Sequence, residues 1–326
     1  MPGSQTAADF DVVSLLDPFR REIRAHCYRM TGCLHEAEDL VQETYLRAWR
    51  SFQDFEHRSS VRTWLYRIAT NVCLSYLDQR RRRPLPTGLG APAADAAHRP
   101  EKEASTLWLE PVPDTWLWTS EPPHPEERAI SRESVRIAFI AALQHLTAQQ
   151  RAVLLMRDVH ALRAGEVAEA LGLSVAAVNS TLQRAHARMG EVADLATPTE
   201  PDTQQHRRLL AAYLRAFENY DVPAIVELLA ADVVWEMPPF PGWYQGAVQV
   251  GTLIGTWCPA RGIGDMRMVP TAANGLPAFA VYLREEEGVH QAFQLQQLHI
   301  GPNGIERVTA WFTPELFAAF GLPSTM

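Results

Sequence analysis

The sequence predicts a multidomain chain with two all-α domains followed by one α+β domain. Apolar residues recur at helical spacing through residues 13–83 and again through 128–194. Between these blocks, nine prolines in residues 84–127 exclude a continuous helix or a central strand. After residue 204, two helical segments precede short runs separated by Asn-Gly and Glu-Gly pairs, the order typical of an α+β domain.

The first block contains two long amphipathic helices. One spans residues 36–53, and its apolar stripe comprises Leu40, Val41, Thr44, Tyr45, Ala48, Trp49 and Phe52. The other spans about residues 60–82, with an inward stripe of Val61, Leu65, Ile68, Val72 and Leu77. Residues 58–83 hold seven arginines and one aspartate, a balance that suits contact with a phosphate backbone.

Residues 85–127 are interpreted as one extended, acidic linker. Residues 84–127 carry a net charge of −6, yet three tryptophans, Trp108, Trp116 and Trp118, lie among them. A free linker seldom exposes three such side chains, so we expect part of it to dock on a folded surface.

Residues 161–189 have the spacing of a helix-turn-helix. Ala168 is the small residue where the two helices meet, Gly172 lies in the turn, and Val178 anchors the second helix. Ser174 is placed to cap that helix, and upstream Thr147 begins a capping box. The second helix presents side chains able to read base edges in the major groove, namely Asn179, Ser180, Gln183, Arg184 and Arg188. The alternative is a plain helical hairpin with a solvated face.

The C-terminal block is predicted to begin with helices at about 204–219 and 222–230. A strand at Val233–Met237 and a short helix at 247–257 follow. Four further strands are predicted at Met266–Pro270, Ala278–Arg284, Gln291–Ile300 and Glu306–Phe312.

The two helical blocks together resemble the extracytoplasmic-function (ECF) sigma factors of RNA polymerase. The stretches DLVQETYLRAWR and VRTWLYRIATNVCLSYLDQRRRR are similar to sigma domain two, and residues 144–189 are similar to sigma domain four. The domains expected from this resemblance are domain two at 10–84, the linker at 85–127, domain four at 128–195 and a C-terminal domain at 204–326. The implied function is promoter-specific transcription initiation, with core RNA polymerase (its β and β′ subunits) and promoter DNA as partners.

The resemblance also implies roles for individual residues. The face formed by Asp39, Gln42, Glu43 and Arg47 would dock on the polymerase β′ subunit. The melted −10 element would be bound by Arg62, Trp64, Arg67, Asn71, Arg80, Arg81, Arg82 and Arg83; Trp64 could equally be a core residue. The helix at 175–188 would read the −35 element. The linker would thread toward the active-site and RNA-exit path of the polymerase.

The C-terminal domain resembles the SnoaL-like, ketosteroid-isomerase-like cone fold, in which helices and a curved sheet enclose a pocket. The resemblance rests on element order and on the strand VVWEMPPFPGWYQG. Candidate pocket residues are Trp235, Glu236, Trp243, Tyr244, His290 and His299, with Met237, Phe293 and Trp311 lining or filling a cavity and Glu236 at its mouth. Asp232 and Asp265 are further titratable candidates. None of these lies in an enzyme motif, so no catalysis is predicted, and regulation in cis by protein docking or a small ligand is expected.

Composition excludes several other classes of protein. No apolar run reaches the ~20 residues of a membrane span, and no secretory signal pattern opens the chain, so the cytoplasm is expected. Four cysteines without metal-ligand spacing predict neither a disulfide framework nor a metal or other cofactor. Two alternatives remain: a ligand-responsive one-component regulator with the cone domain as sensor, and a pocket enzyme tethered to a DNA-binding module.

Overall fold

The computed structural model describes residues 14–55, 59–78, 82–117, 134–190, 204–285 and 288–326. The chain divides into two compact units, each built from two separated segments. The first unit combines Met1–Arg83 with Thr115–Ala196, and the second combines Pro84–Asp114 with Thr197–Met326. No helix among the described residues has the length and apolar content that crossing a membrane requires.

The first unit is entirely helical in its described parts. Its N-terminal helices are α1 (Arg20–Thr31), α2 (Leu34–Ser51) and α3 (Val61–Leu77). Gly32, with a φ of 72°, ends α1 in the left-handed conformation and allows α2 to begin two residues later. The Ser60 side chain caps α3 by accepting a hydrogen bond from the backbone N–H of Thr63. The three helices bury a core around Ile23, Val41 and Leu65.

The described part of the first unit has four further α-helices of seven or more residues: α4 (Ile137–Leu143), α5 (Ala148–Leu154), α6 (Ala164–Leu171) and α7 (Val175–Gly190). The capping box predicted at Thr147 is present, and the Ser174 hydroxyl accepts a hydrogen bond from the backbone N–H of Ala177. Gly172 has the positive φ, 64°, that the turn between α6 and α7 requires. Val167, Ala168 and Val178 are buried together, as the helix-turn-helix interpretation predicts.

The described part of the second unit contains a six-stranded sheet with three helices on one face and one short helix on the other. The helices are α8 (Gln204–Glu218), α9 (Val222–Leu228), α10 (Ala247–Trp257) and the short α11 (Leu316–Ala319). The strands are β1 (Leu229–Met237), β2 (Phe240–Gln245), β3 (Met266–Ala273), β4 (Leu276–Arg284), β5 (His290–Gly301) and β6 (Gly304–Trp311). Their order is β2-β1-β6-β5-β4-β3, and the β1–β6 pair is parallel while the other neighbours are antiparallel.

Strand β2 was not predicted, because Pro238–Gly242 reads as a turn in the sequence. The structure places Pro241 and Gly242 inside an edge strand, with Trp243 and Tyr244 paired to β1. An edge strand tolerates proline because one side of its backbone needs no partner strand.

The first part of the predicted linker belongs to the second unit. We call Pro84–Asp114 the wrapping segment. Its Ala94 N–H donates to the carbonyl of Trp243 on edge strand β2 (2.7 Å). Farther along, the carbonyl of Leu109 accepts a hydrogen bond from the indole of Trp311 on β6 (2.8 Å). The prediction of one continuous linker over 85–127 therefore needs correction, because residues up to 114 are packed on the α+β domain.

The three linker tryptophans differ in position. Trp108 is buried in the second unit, which agrees with the expectation that part of this segment docks. In the first unit, the guanidinium of Arg24 lies 4.3 Å from the ring centroid of Trp116. Trp118 lies outside the described residues.

Candidate nucleic-acid interface and C-terminal cavity

The exposed face of α2 carries the residues predicted to contact the polymerase. Asp39, Gln42 and Arg47 are exposed, and the guanidinium Nε of Arg47 donates to Glu43 Oε1 (2.6 Å). Two large apolar side chains, Leu46 (50% exposed) and Trp49 (48% exposed), accompany them. The helical period predicts Trp49 in the buried stripe and does not include Leu46 in it. The structure corrects this, because α2 presents a mixed polar and apolar surface typical of a protein-binding face.

The residues predicted to bind the −10 element lie on α3 and just after it, and two of them are buried in this structure. Trp64 is only 5% exposed and packs on the ring of Phe55, with centroids 4.8 Å apart. Arg83 is also buried, and its guanidinium donates to Glu36 Oε1 (2.6 Å). The predicted DNA-contacting roles of these two side chains need correction, since buried side chains cannot stack on bases or reach phosphates.

The remaining described residues of that set are at least partly accessible. Arg62 donates to Glu22 Oε2 (2.6 Å) and lies over the Tyr66 ring, while Arg82 lies 2.9 Å from His145 Nδ1. Arg80 and Arg81 lie outside the described residues.

Two members of the predicted −10 surface contact α6 of the helix-turn-helix. The Asn71 amide donates to the carbonyl of Ala170 (3.2 Å), and the Arg67 guanidinium lies 3.9 Å from Glu169. Arg67 and Asn71 also line a shallow cleft of about 400 Å³ with Arg47 and Arg50. In this structure the first helix of the DNA-binding motif partly occupies the surface predicted for single-stranded DNA.

A buried histidine pair joins the same two parts of the first unit. His26 Nδ1 lies 2.9 Å from His160 Nε2, and the ring of Tyr66 stacks on His160 with centroids 3.9 Å apart. His160 follows a π-helical turn, Leu155–Val159, that extends α5. Burial lowers the pKa of His26 to about 3, and burial together with the charge of His26 lowers the pKa of His160 well below its usual value. Both rings are therefore neutral at pH 7.

A buried arginine reinforces this contact. Arg29 Nε donates to the carbonyl of Ser134 (3.1 Å), and Arg29 Nη2 donates to the Ser134 hydroxyl (2.9 Å). Burial lowers the pKa of Arg29 to about 10, so the guanidinium stays charged at neutral pH. A buried cation must be hydrogen-bonded, and Ser134 satisfies that requirement.

Helix α7 exposes the side chains expected to read DNA. Asn179 and Gln183 are exposed, as are Arg184 and Arg188. Ser180 is partly buried, and its hydroxyl donates to the carbonyl of Ala177 (3.1 Å). The arrangement can supply amide and guanidinium groups to base edges and phosphates along one helix face.

The α+β domain contains a cavity of about 820 Å³ between its sheet and helices α8 and α10. Of the six pocket candidates, only Trp235 lines it. Met237 and Phe293, which the sequence analysis also named, line it as well. Residues Phe217, Leu253 and Phe312, which the sequence analysis missed, add apolar wall.

Glu236 points away from this cavity, since it alternates with Trp235 and Met237 along β1. It is fully buried and accepts hydrogen bonds from the N–H and hydroxyl of Thr87 (2.9 and 2.6 Å) and from Arg307 (2.9 Å). Its predicted place at the cavity mouth needs correction. The carboxylate instead binds the wrapping segment to the opposite face of the sheet.

The other candidates also have structural partners away from the cavity. The Trp243 indole donates to the carbonyl of Ala91 (2.9 Å), and the Trp311 indole likewise holds the wrapping segment. His290 Nε2 lies 2.9 Å from the carbonyl of Gly264, and His299 lies 4.0 Å from Glu306. Tyr244 is buried, and burial raises the pKa of its hydroxyl.

The two carboxylates named as titratable candidates also lie elsewhere. Asp232 is exposed, and Asp265 pairs with Arg284 (2.5 Å).

Comparisons with known proteins agree with this architecture. The Sigma-70 region 2 family matches residues 15–83, and the Sigma-70 region 4 family matches residues 136–189. The ECF RNA polymerase sigma factor SigG of Mycobacterium tuberculosis is 50% identical over 327 residues, covering 100% of this chain and 87% of that protein. SigW of Bacillus subtilis is 30% identical over 170 residues, covering 52% of this chain and 82% of that protein.

Among solved structures, the crystal structure of the M. tuberculosis ECF sigma factor SigJ matches 95% of this chain and 100% of that chain. Its TM-score is 0.61 at 21% sequence identity. This likeness extends through the α+β domain, so the cone fold predicted for the C-terminal part is confirmed.

Proposed function

This chain belongs to the ECF RNA polymerase sigma factors. From that premise, we propose which parts of the chain bind the polymerase, which recognise the promoter and which regulate initiation. As a member of this family it is a non-enzymatic initiation factor that binds core RNA polymerase and promoter DNA. A one-component regulator is not favoured, because such a protein leaves the region 2 match over residues 15–83 unexplained. We expect it to act in the cytoplasm, where the polymerase is located.

We propose that α2 is the principal polymerase-binding element. Asp39, Gln42, Glu43 and Arg47 supply polar contacts, and the exposed Leu46 and Trp49 supply the apolar centre. Aromatic side chains surrounded by polar groups are typical of the residues that dominate binding energy at protein interfaces.

The −35 element is assigned to α7. Asn179, Gln183 and Arg184 project from one exposed face, and this exposure is the main observation that supports the assignment. Arg188 lies one turn further along the same helix and is placed to contact phosphate. The −10 element is assigned to α3 and the residues after it, through Arg62, Arg67 and Asn71 together with Arg80, Arg81 and Arg82.

The free protein is proposed to be a closed state. A promoter places its −10 and −35 elements on separated turns of DNA, so domains two and four must separate to bind both. In the closed state α6 contacts Arg67 and Asn71, and the pairs His26–His160 and Arg29–Ser134 hold the two domains together. The exposed α2 can bind core polymerase in either state, and polymerase contacts with surfaces that only the separated state exposes would shift the equilibrium toward that state.

The C-terminal domain is proposed to regulate this opening in cis. It retains the wrapping segment, which is part of the only covalent connection between domains two and four. A retained segment shortens the chain available for domain separation, so we expect the C-terminal domain to restrain initiation.

The deciding experiment is transcription in vitro from a promoter selected with this protein, using core polymerase and the full-length chain. Specific transcripts that require the added protein are expected. Absence of both transcription and stable binding to core polymerase would contradict the proposed function.

A further inference from the structure

The cavity of the α+β domain has a size and a lining that folding of the domain does not require. Its volume, about 820 Å³, lies within the range that encloses a drug-sized organic molecule. The wall is largely apolar and aromatic, formed by Phe217, Trp235, Leu253, Phe293 and Phe312 together with Met237. A well-packed core leaves few voids much larger than a water molecule, so a space of this size needs an explanation.

A polar side chain lies within this apolar wall. Gln294 lines the cavity from β5 and is only 5% exposed. Its Oε1 is buried without a hydrogen-bond partner among the described residues. An unpaired buried amide oxygen costs about 1–3 kcal/mol, and a bound ligand that supplies a donor would remove that cost.

A β-bulge brings Gln294 to the cavity beside an aromatic neighbour. Val281 pairs with Gln294 while the next residue, Tyr282, pairs with Ala292, which leaves Phe293 as the extra residue of β5. In a regular strand two consecutive side chains point to opposite faces, but here Phe293 and Gln294 both line the cavity. The bulge therefore places a ring and an amide next to each other on one wall.

The cavity also has a charged border. Arg99, Lys102 and Arg261 are exposed residues that line it, and Glu101 is the one acidic residue among the described lining residues. This excess of positive charge contrasts with residues 197–326 as a whole, which carry a net charge of −6. At physiological salt, screening limits the electrostatic effect of the acidic surface to about 8 Å, so the nearby cations dominate the potential at the cavity.

We propose that the cavity binds a ring-built organic acid that carries a hydroxyl group. The rings occupy the apolar wall, the hydroxyl pairs with the Gln294 amide, and the carboxylate meets the cations. A hydroxyl both donates and accepts, so it satisfies either end of the amide. Two of the cations, Arg99 and Lys102, come from the wrapping segment, so the ligand would contact that segment and the cone domain together. The binding site itself does not depend on the proposed function.

The test uses three related probes with the full-length protein. They are 6-hydroxy-2-naphthoate, 2-naphthol, which lacks the carboxylate, and 2-naphthoate, which lacks the hydroxyl. Calorimetric titration is expected to give the highest affinity for 6-hydroxy-2-naphthoate. Removing either polar group should weaken binding by about three- to tenfold, the equivalent of one hydrogen bond or ion pair. Failure of all three probes to bind, or equal binding of all three, would overturn the proposal.

Two variants test the contact of the hydroxyl with Gln294 and the contact of the carboxylate with the cations. Gln294→Leu keeps the side-chain size and is expected to abolish the preference for 6-hydroxy-2-naphthoate over 2-naphthoate. The double variant Arg261→Ala, Lys102→Ala should lower the affinity for both carboxylate probes severalfold and leave the affinity for 2-naphthol unchanged. If either variant lowers affinity for all three probes alike, the polar assignment is wrong.

Filling the cavity provides an independent check. Leu253→Trp on α10 is expected to prevent binding of every probe, whereas Val248→Trp, at a site 78% exposed on the same helix, should bind as the parent does. Thermal unfolding of each variant without probe shows whether it folds. A folded Leu253→Trp protein that still binds 6-hydroxy-2-naphthoate with parental affinity would place binding elsewhere and contradict the proposal.

Discussion

At the scale of single residues, the buried pair His26–His160 makes the first unit sensitive to pH. Both pKa values lie below the usual 6.5 because burial disfavours the charged ring. The unfolded chain takes up these protons as the pH falls through about 6.5, while the folded protein does not. The pair's stabilising contribution is therefore complete above pH 6.5 and decreases as the pH falls toward the folded-state values.

Between pH 6.5 and 5.5 the free energy of unfolding should fall by about 1 kcal/mol for each of the two histidines. Urea unfolding followed by tryptophan fluorescence at both pH values measures this. His160→Phe should reduce the pH dependence, whereas His98→Gln, at a side chain 84% exposed, should leave it unchanged. Equal pH dependence in His160→Phe and the parent would contradict the assignment.

Base reading by α7 gives a second prediction at this scale. Gln183→Ala and Arg184→Ala should each weaken use of the −35 element by about five- to 150-fold, the equivalent of 1–3 kcal/mol. Footprinting of the polymerase holoenzyme on promoter DNA measures the loss. Arg163→Ala, at a side chain 85% exposed immediately before α6, is the matched control. A parallel loss of core-polymerase binding would contradict a DNA-reading role.

At the scale of secondary-structure elements, α2 exposes apolar side chains that a helix in a free protein would be expected to bury. Leu46→Asp and Trp49→Asp should each lower affinity for core polymerase at least tenfold, because truncating a central aromatic or aliphatic anchor costs about 2 kcal/mol or more. Pull-down against core polymerase measures this. Ile263→Asp, which replaces another highly exposed apolar residue, should bind normally.

The wrapping segment gives a prediction about a second element. Glu236→Ala removes the acceptor for Thr87 and leaves Arg307 without its carboxylate, and breaking a buried ion pair costs about 3–5 kcal/mol. We expect faster proteolysis within residues 84–114 and increased transcription from a cognate promoter. Asp232→Ala changes an exposed carboxylate on the same strand and should have neither effect. If Glu236→Ala speeds proteolysis of the wrapping segment but leaves transcription unchanged, attachment of this segment does not regulate initiation.

At the scale of the whole molecule, opening of domains two and four is the proposed event in activation. Ser134→Ala removes the hydroxyl that Arg29 contacts and should shift the closed–open equilibrium toward the open form by about tenfold or more, since hydrogen bonds to charged groups contribute about 1.5–3 kcal/mol. Energy transfer between dyes on domains two and four reports the shift. Ser59→Ala alters an exposed serine and serves as the control. An unchanged distance distribution would argue against the closed-state proposal.

Local patterns in the sequence determined the helical domains and the helix-turn-helix. The capping box at Thr147, the turn glycine Gly172 and the anchor Val178 are each set by residues within one or two helical turns, so sequence reasoning located them. The exposed face of α7 follows from the same 3.6-residue period. The order of helices and strands likewise predicted an α+β C-terminal domain, although it missed β2, whose proline is tolerated only because the strand lies at the edge of the sheet.

Packing between distant parts of the chain determines which side chains are covered, and the sequence pattern did not predict this. The period of α2 placed Trp49 in the apolar stripe, but only the tertiary structure shows which apolar positions have neighbours. The resemblance to the cone fold placed Glu236 at the mouth of a pocket, yet its ion pair with Arg307 lies on the opposite face of the sheet. The cavity depends on β5, α8 and α10 together, and the docking of residues 84–114 depends on partners more than 100 residues away. Such contacts form between surfaces that exist only after folding. Local sequence patterns were therefore enough to predict most helices and strands and the family, whereas the surfaces that these elements cover could be seen only in the folded protein.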